Sequence, residues 1–328
     1  MIHILLCPHA LSFGGSQQSV HHWAKFLNLH KFKVSVLAEK KGGLSQKFES
    51  FYDVYYDAPG YPNIIEFIKK LNIDLIHACP GGGTSNAYIQ VASQFVPITQ
   101  TVMCPRAVAN KEFVKKSIVL SRFVYDLQSD KTDVLHIDAP FDSEEYEYLY
   151  DRVYFGLPED KIIVGSFGNP RKENRDFFKI ASLTKDPRVH FVIKTNSKPI
   201  FKRGNITFIN RFLTENEKMS LMKQLDIFLY PTSNESYGVV FLEAMSQKVP
   251  ILTYEDSANP EVVGNGGLFS PLGDYKNLAL LLSKLTADET LRKDLGQKGF
   301  KLFKARNDPQ LIAQKYEKIF SLVTSPND

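Results

Sequence analysis

The feature that most limits the fold is an alternation of short apolar runs with longer segments of helical period, which halts and then begins again. Ile2–Cys7 is a compact apolar run, and residues 16–29 follow with Val20, Trp23, Ala24 and Leu27 on one helical face. Residues 33–38, 74–78, 96–103 and 117–120 repeat the strand-like run, while Ile64–Leu71 has helical spacing. A strand without polar alternation is buried on both faces, and intervening helices supply the cover. The pattern therefore predicts a parallel α/β sheet wrapped on both sides.

The stretch from Pro140 to Asp151 is acidic and tyrosine-rich and carries no clear strand. Beyond it the alternation restarts. Strands are expected at Ile162–Phe167, 189–194, 206–209, 227–230 and 250–254, and helices at 176–183, 215–224, 238–246, 275–285 and 308–323. We read residues 1–145 as one domain, 146–160 as a linker and 161–305 as a second domain. Residues 306–328 form a C-terminal helix that could pack back on the first. The 328 residues, 43% of them hydrophobic, suffice for two cores. In doubly wound sheets ligands bind at the carboxyl ends of the strands, so two such domains would present those ends to a central cleft.

Composition removes several functions. The net charge is only +4, which argues against a nucleic-acid partner. Residues 1–150 carry 14 basic and 15 acidic side chains and residues 151–328 carry 26 and 21, so an anionic ligand is expected in the second half. Cys7, Cys79 and Cys104 are odd in number and make no C-x-x-C, as expected of buried thiols in a reducing cytoplasm. No apolar run approaches the roughly 18–20 residues of a membrane span. The opening residues read as a first strand rather than a signal peptide.

Two segments carry chemistry. Phe13-Gly14-Gly15 follows the first strand and opens a helix. Paired glycines there let a backbone approach an anion, and equally serve a plain strand-to-helix turn. It is not G-x-G-x-x-G, so the dinucleotide fingerprint is absent. The second segment runs Asp226-Ile-Phe-Leu-Tyr-Pro-Thr-Ser-Asn-Glu235-Ser236-Tyr237-Gly238-Val239-Val240-Phe-Leu-Glu243-Ala-Met. A strand ends at Tyr230-Pro231, a polar loop carries Glu235, and a helix starts near Gly238. Glu243 sits in an apolar run, where a carboxylate is costly without a partner. Singly, Glu243 reads as an acid paired with a core arginine or capping a neighbouring helix, and Glu235 as an N-terminal acid favoured by the helix dipole. Together in this setting they read as a site.

The pair resembles the E-x7-E motif of retaining GT-B glycosyltransferases, in particular the family-4 group. The likeness extends along most of the chain: Phe13-Gly-Gly, Asp74-Leu-Ile-His77, Val119-Leu-Ser-Arg-Phe, Asn205 to Leu213, Glu243-Ala-Met to Leu252, and Asn259-Pro-Glu261 to Asp274 stand in the family's order. It implies two Rossmann-like domains, an N-terminal acceptor domain and a C-terminal domain for a UDP- or GDP-linked sugar. By position, Glu243 would hold the ribose hydroxyls and Glu235 the donor sugar. The amides of Gly238 and Val239, with Ser236, Tyr237 and Val240 about them, would face sugar and diphosphate. The backbone at Arg211 and Phe212 would meet the base, and Gly14 and Gly15 would approach the donor. The acceptor would be a glycan or a lipid-linked acceptor in surface polysaccharide synthesis. No cofactor is implied, since the nucleotide sugar is a co-substrate, and the chain has no D-x-D pair to hold a metal.

The chain departs from the family at three places. Its diphosphate clamp G-R-x-x-x-x-K-G is replaced by Gly168-Asn169-Pro-Arg171-Lys172-Glu-Asn-Arg175, leaving Arg171 and Lys172 as the expected clamp, with Arg175 next. Met103 stands where a histidine often meets the donor sugar; His77, His9 or Arg106 could substitute, although each taken singly reads rather as structural. Lys248 replaces a glycine after the motif helix. A non-catalytic relative that binds nucleotide sugar or glycan and supports a partner enzyme is the rival reading. A sugar-nucleotide epimerase would need an acid/base set that is not visible, and fold alone does not separate these classes. The stretches Lys111-Glu-Phe-Val-Lys-Lys and Lys298-Gly-Phe-Lys-Leu-Phe-Lys suit peripheral contact with an anionic membrane, and equally a solvated face.

Overall fold

The structure, a computed structural model, describes residues 1–79, 87–167, 174–195 and 204–325. The chain divides into two compact units. One comprises residues 1–141 with 307–328, the other residues 142–306.

In the first unit the elements run β1 (Ile2–Cys7), α1 (Gly15–Ala24), β2 (Phe32–Ala38), α2 (Ser45–Glu49), β3 (Asp53–Tyr56), α3 (Ile64–Leu71), β4 (Leu75–Ala78), α4 (Ala87–Ala92), β5 (Ile98–Val102), β6 (Lys116–Val119), α5 (Arg122–Asp126) and β7 (Val134–His136). The strands form one sheet in the order β3-β2-β1-β4-β5-β6-β7, every pairing parallel. Side chains alternate across a strand. Ile4 and Leu6 of β1 therefore join one core with Trp23, while Leu5 and Cys7 join the other with Ile64 and Ile68.

In the second unit the elements are β8 (Ile162–Phe167), α6 (Asn174–Leu183), β9 (Val189–Lys194), β10 (Ile206–Ile209), α7 (Glu215–Lys223), β11 (Ile227–Tyr230), α8 (Val239–Ser246), β12 (Ile251–Glu255), α9 (Asn259–Val263), β13 (Gly267–Pro271), α10 (Tyr275–Ala287) and α11 (Glu289–Arg306). Its sheet has the order β10-β9-β8-β11-β12-β13, again parallel throughout. Val164, Phe191, Ile227 and Leu252 pack against Phe177, Leu278 and Leu282. The segment leading into β8 is stapled to this unit by Arg152. Its guanidinium donates to the carbonyls of Glu159, Lys161 and Gln224 and to Asp226 Oδ2.

The last helix, α12 (Pro309–Thr324), belongs to the first unit. Its Asp308 cap accepts from the amides of Gln310 and Leu311, and Pro309, which has no N–H, opens it, so these first positions need no further acceptor. Tyr316 stacks on Trp23 with centroids 4.2 Å apart and planes 6° from parallel. Such a pair adds about 0.5–1.5 kcal/mol beyond its buried area.

Candidate active site

In the second sheet the chain order reverses between β8 and β11, and a doubly wound sheet offers its crevice at the carboxyl ends beside such a switch. The segment leaving β8 holds Gly168, Asn169, Arg171 and Lys172, which lie outside the described residues. Arg175, in the first turn of α6, is exposed.

The segment leaving β11 is tied down by its neighbours. Thr253 Oγ1 donates to the Tyr230 carbonyl at 2.6 Å. The buried amide of Asn259 donates to the carbonyls of Thr232 and Tyr254, each at 3.1 Å. Asp256 Oδ2 accepts from the amide of Asn234 at 2.8 Å and from Ser257 Oγ at 2.5 Å. Asn234 takes φ 60°, a left-handed angle its short polar side chain tolerates. Within this frame Thr232 Oγ1 donates to Glu235 Oε1 at 3.1 Å, so the carboxylate is aimed as well as anchored. Ser236 is half-buried and Tyr237 buried.

Gly238 turns the chain into α8 at φ 78° and ψ 69°. A Cβ there would lie 2.6 Å from the ring of Phe241, which itself packs edge-on against Tyr230. Glycine is required on both counts. No side chain caps α8 at Gly238, and its first turn has no acidic residue. The first amides of a helix lack intrahelical partners and attract anions. Val239 and Val240, which carry two of them, are half-exposed. Glu243 follows in the same helix, 4% exposed, and accepts from Lys218 Nζ of α7 at 2.6 Å. Lys194 closes β9 nearby. Burial first, and the charge of Lys218 second, hold its ammonium below the usual lysine range.

Arg211 and Phe212 follow β10 and both are exposed. The guanidinium of Arg211 donates to Glu217 Oε1 at 2.6 Å, so what this segment offers a ligand is its backbone. Glu217 completes a capping box with Thr214 and accepts from Tyr154 Oη. Burial raises its pKa, but the bonds from Tyr154, Thr214 and Arg211 together outweigh that and hold the carboxyl at about 2.

In the first unit His77 requires a correction. It is fully buried, Nδ1 lies 2.9 Å from Thr99 Oγ1, and Nε2 lies 3.0 Å from Thr101 Oγ1. Trp23, Tyr316 and Phe320 surround the ring, and burial lowers its pKa to about 3. It is a neutral residue enclosed in the core of the first unit. Asp74 accepts from the His3 amide at 2.8 Å, so this D-x-x-H run is structural at both ends. Met103, just past β5, is half-buried against the core shared with α12. Gly14 caps α1 in extended backbone (φ −176°), which any residue adopts, and Gly15 begins the helix. The close-packed glycines here are Gly42 and Gly43. A Cβ on Gly42 would lie 2.4 Å from the Leu11 carbonyl oxygen, and one on Gly43 would overlap the Phe13 ring.

The second unit thus gathers Glu235, Ser236, Tyr237, Gly238, Val239, Val240 and Glu243 on one strand–loop–helix. Lys218 and Lys194 were not foreseen. Their signal is weak, because Lys218 is remote in sequence from the carboxylate it meets and Lys194 merely ends a strand.

Residues 162–302 match the family Glycosyl transferases group 1. The O-antigen biosynthesis glycosyltransferase WclY of Escherichia coli is 27% identical over 226 residues, 64% of this chain and 62% of WclY. The capsular polysaccharide biosynthesis glycosyltransferase CapM of Staphylococcus aureus is 30% identical over 195 residues, 51% of this chain and 48% of CapM. The matched stretches therefore span less than two thirds of either relative. The crystal structure of Anabaena Alr3699/HepE in complex with UDP matches at a TM-score of 0.77 and 15% identity, covering 98% of this chain and 100% of that one. The fold is GT-B, two parallel α/β units. Among the described residues no helix is long and apolar enough to cross a membrane.

Proposed function

We propose that this chain, which carries a glycosyl transferases group 1 domain over residues 162–302, is a retaining, metal-independent glycosyltransferase of surface polysaccharide synthesis. The donor is a UDP- or GDP-linked sugar held by the second unit. The acceptor is a glycan or lipid-linked glycan held by the first, with peripheral membrane contact. The observation that carries this reading is the Glu235-to-Glu243 segment. It places one aimed carboxylate before an uncapped helix N-terminus and one buried carboxylate behind it. Named relatives in O-antigen and capsule biosynthesis, and a structural neighbour complexed with UDP, support the same assignment.

The chemistry follows from charge. Breaking the anomeric C–O bond leaves positive charge on the sugar and negative charge on the diphosphate. The amides at the start of α8 are fixed dipoles suited to the negative partner and need no reorganisation. Arg171, Lys172 and Arg175 are the cations assigned to the same task. Glu243 accepts hydrogen bonds from the ribose diol, as an ionised carboxylate can. Glu235 accepts from sugar hydroxyls and stands against the developing positive charge. The acceptor hydroxyl attacks from the face the diphosphate leaves, and the departing phosphate takes its proton, which gives retention.

Glu235→Gln tests the assignment. We expect it to lose most transfer from a UDP- or GDP-sugar while keeping nucleotide affinity. Turnover like that of the unaltered protein would refute the role.

A further inference from the structure

A carboxylate in an apolar helix stays charged only where a cation and hydrogen bonds replace water. Glu243 is 4% exposed, and the hydrogen bond to its Oε1 comes from Lys218 Nζ at 2.6 Å. The two ends of this pair differ. The lysine side chain keeps 26% of its surface and the glutamate 5%. Lys218 lies near the start of α7, Glu243 one turn into α8, and Lys194 is the last residue of β9. Parallel topology puts all three at the carboxyl edge of the second sheet, where this fold binds ligands. The charge of Lys218 is felt at Lys194, whose ammonium is depressed by burial and then by that repulsion.

Resting on the reading of Glu243 as the ribose contact, we propose that Lys218 is a positioning residue for recognition of the nucleotide ribose. Its ammonium pairs with Glu243 and fixes one carboxylate oxygen. The second oxygen and the remaining lone pairs then accept from the vicinal ribose hydroxyls. A carboxylate has about four such acceptor sites, so one ammonium does not exhaust it. Lys218 therefore acts through Glu243, and its effect exists only for a ligand bearing the diol.

The test is a calorimetric titration of UDP, GDP and their 2′,3′-dideoxy counterparts. The proteins are the unaltered chain, Lys218→Met, Lys218→Arg, Glu243→Gln and the double variant Lys218→Met/Glu243→Gln. Lys218→Met should weaken the ribonucleotide roughly 10- to 100-fold, the span of one charge-assisted hydrogen bond. It should leave the dideoxy nucleotide within about twofold, and Lys218→Arg should recover most of the loss. In the Glu243→Gln background, Lys218→Met should change nothing further, since the pair is already broken. If Lys218→Met alone does not fold for want of a partner to the buried charge, Glu243→Gln against the double variant decides, because neither retains that charge. Equal loss for ribo and dideoxy ligands, or a further loss in the double variant, would overturn the proposal in favour of direct diphosphate contact or a structural role. An unaltered protein that binds neither UDP nor GDP would instead sink the donor-site reading on which the proposal rests.

Discussion

Gly238 is where backbone geometry and the candidate site meet, and Gly238→Ala has a cost that follows from the structure. The residue stands at φ 78° and ψ 69°. Left-handed backbone costs an L-residue about 1–2 kcal/mol. The new methyl would lie 2.6 and 2.7 Å from two ring carbons of Phe241, a buried side chain held against Tyr230. Forcing one carbon into such packing costs about 1–3 kcal/mol. The sum, about 2–5 kcal/mol, lowers the unfolding temperature of a unit this size by roughly 5–15 °C. Differential scanning calorimetry reads it directly. Gly204→Ala in the same unit is the control: among the described residues its Cβ would meet nothing within 4 Å, so a change of no more than about 0.5 kcal/mol is expected. Gly238→Ala/Phe241→Leu should recover the packing part and keep the backbone part. A single variant melting within a degree of the unaltered protein would refute the reasoning.

Other perturbations probe the frame around the site and the first unit. Asn259→Ala leaves the carbonyls of Thr232 and Tyr254 without their buried donor, so urea denaturation should show a loss of about 2–4 kcal/mol and transfer should fall with it. Unchanged turnover would mean that the loop does not depend on this anchor. For His77 the folded pKa of about 3 lies below the ordinary 6.5, so the unfolded chain takes the proton first. Its contribution is complete above pH about 6.5 and is lost as pH falls toward 3. Between pH 7 and pH 4 the unaltered protein should lose more stability than His77→Gln, and equal losses would contradict the buried neutral ring.

Central strands could be read from sequence because burial on both faces leaves a run that is mostly apolar, without regular polar alternation, as in Ile2–Cys7 and Ile162–Phe167. The strands that escaped notice, β3, β7 and β13, lie at sheet edges, where half-exposed residues such as Tyr55 and His136 interrupt the pattern. The helix α11 escaped for another reason. Gly296 and Gly299 look like breakers, yet a Cβ on Gly296 would lie 2.0 Å from the Lys248 carbonyl oxygen, and Gly299 faces Gly266. These glycines permit close packing rather than ending the helix. Lys248 itself takes φ 60°, and its ammonium lies over the Phe300 ring, so the lysine found in place of a glycine shapes a turn. Glu243 was legible because a charge in an apolar run needs a partner. The partner of Glu243 was not, because Lys218 comes from a separate helix 25 positions away and is chosen by tertiary packing alone. His77 kept two readings in the sequence, a sugar contact or a structural histidine, and its two threonine partners favour the second.

The central claim is that the strand–loop–helix around Glu243 binds a nucleoside diphosphate. Isothermal titration of UDP and of GDP into the unaltered protein and into Glu243→Gln tests it most directly. The account predicts one saturable site for at least one nucleotide, weakened roughly 10- to 100-fold by the substitution. Absence of binding by either nucleotide, or equal affinity in the two proteins, would contradict it.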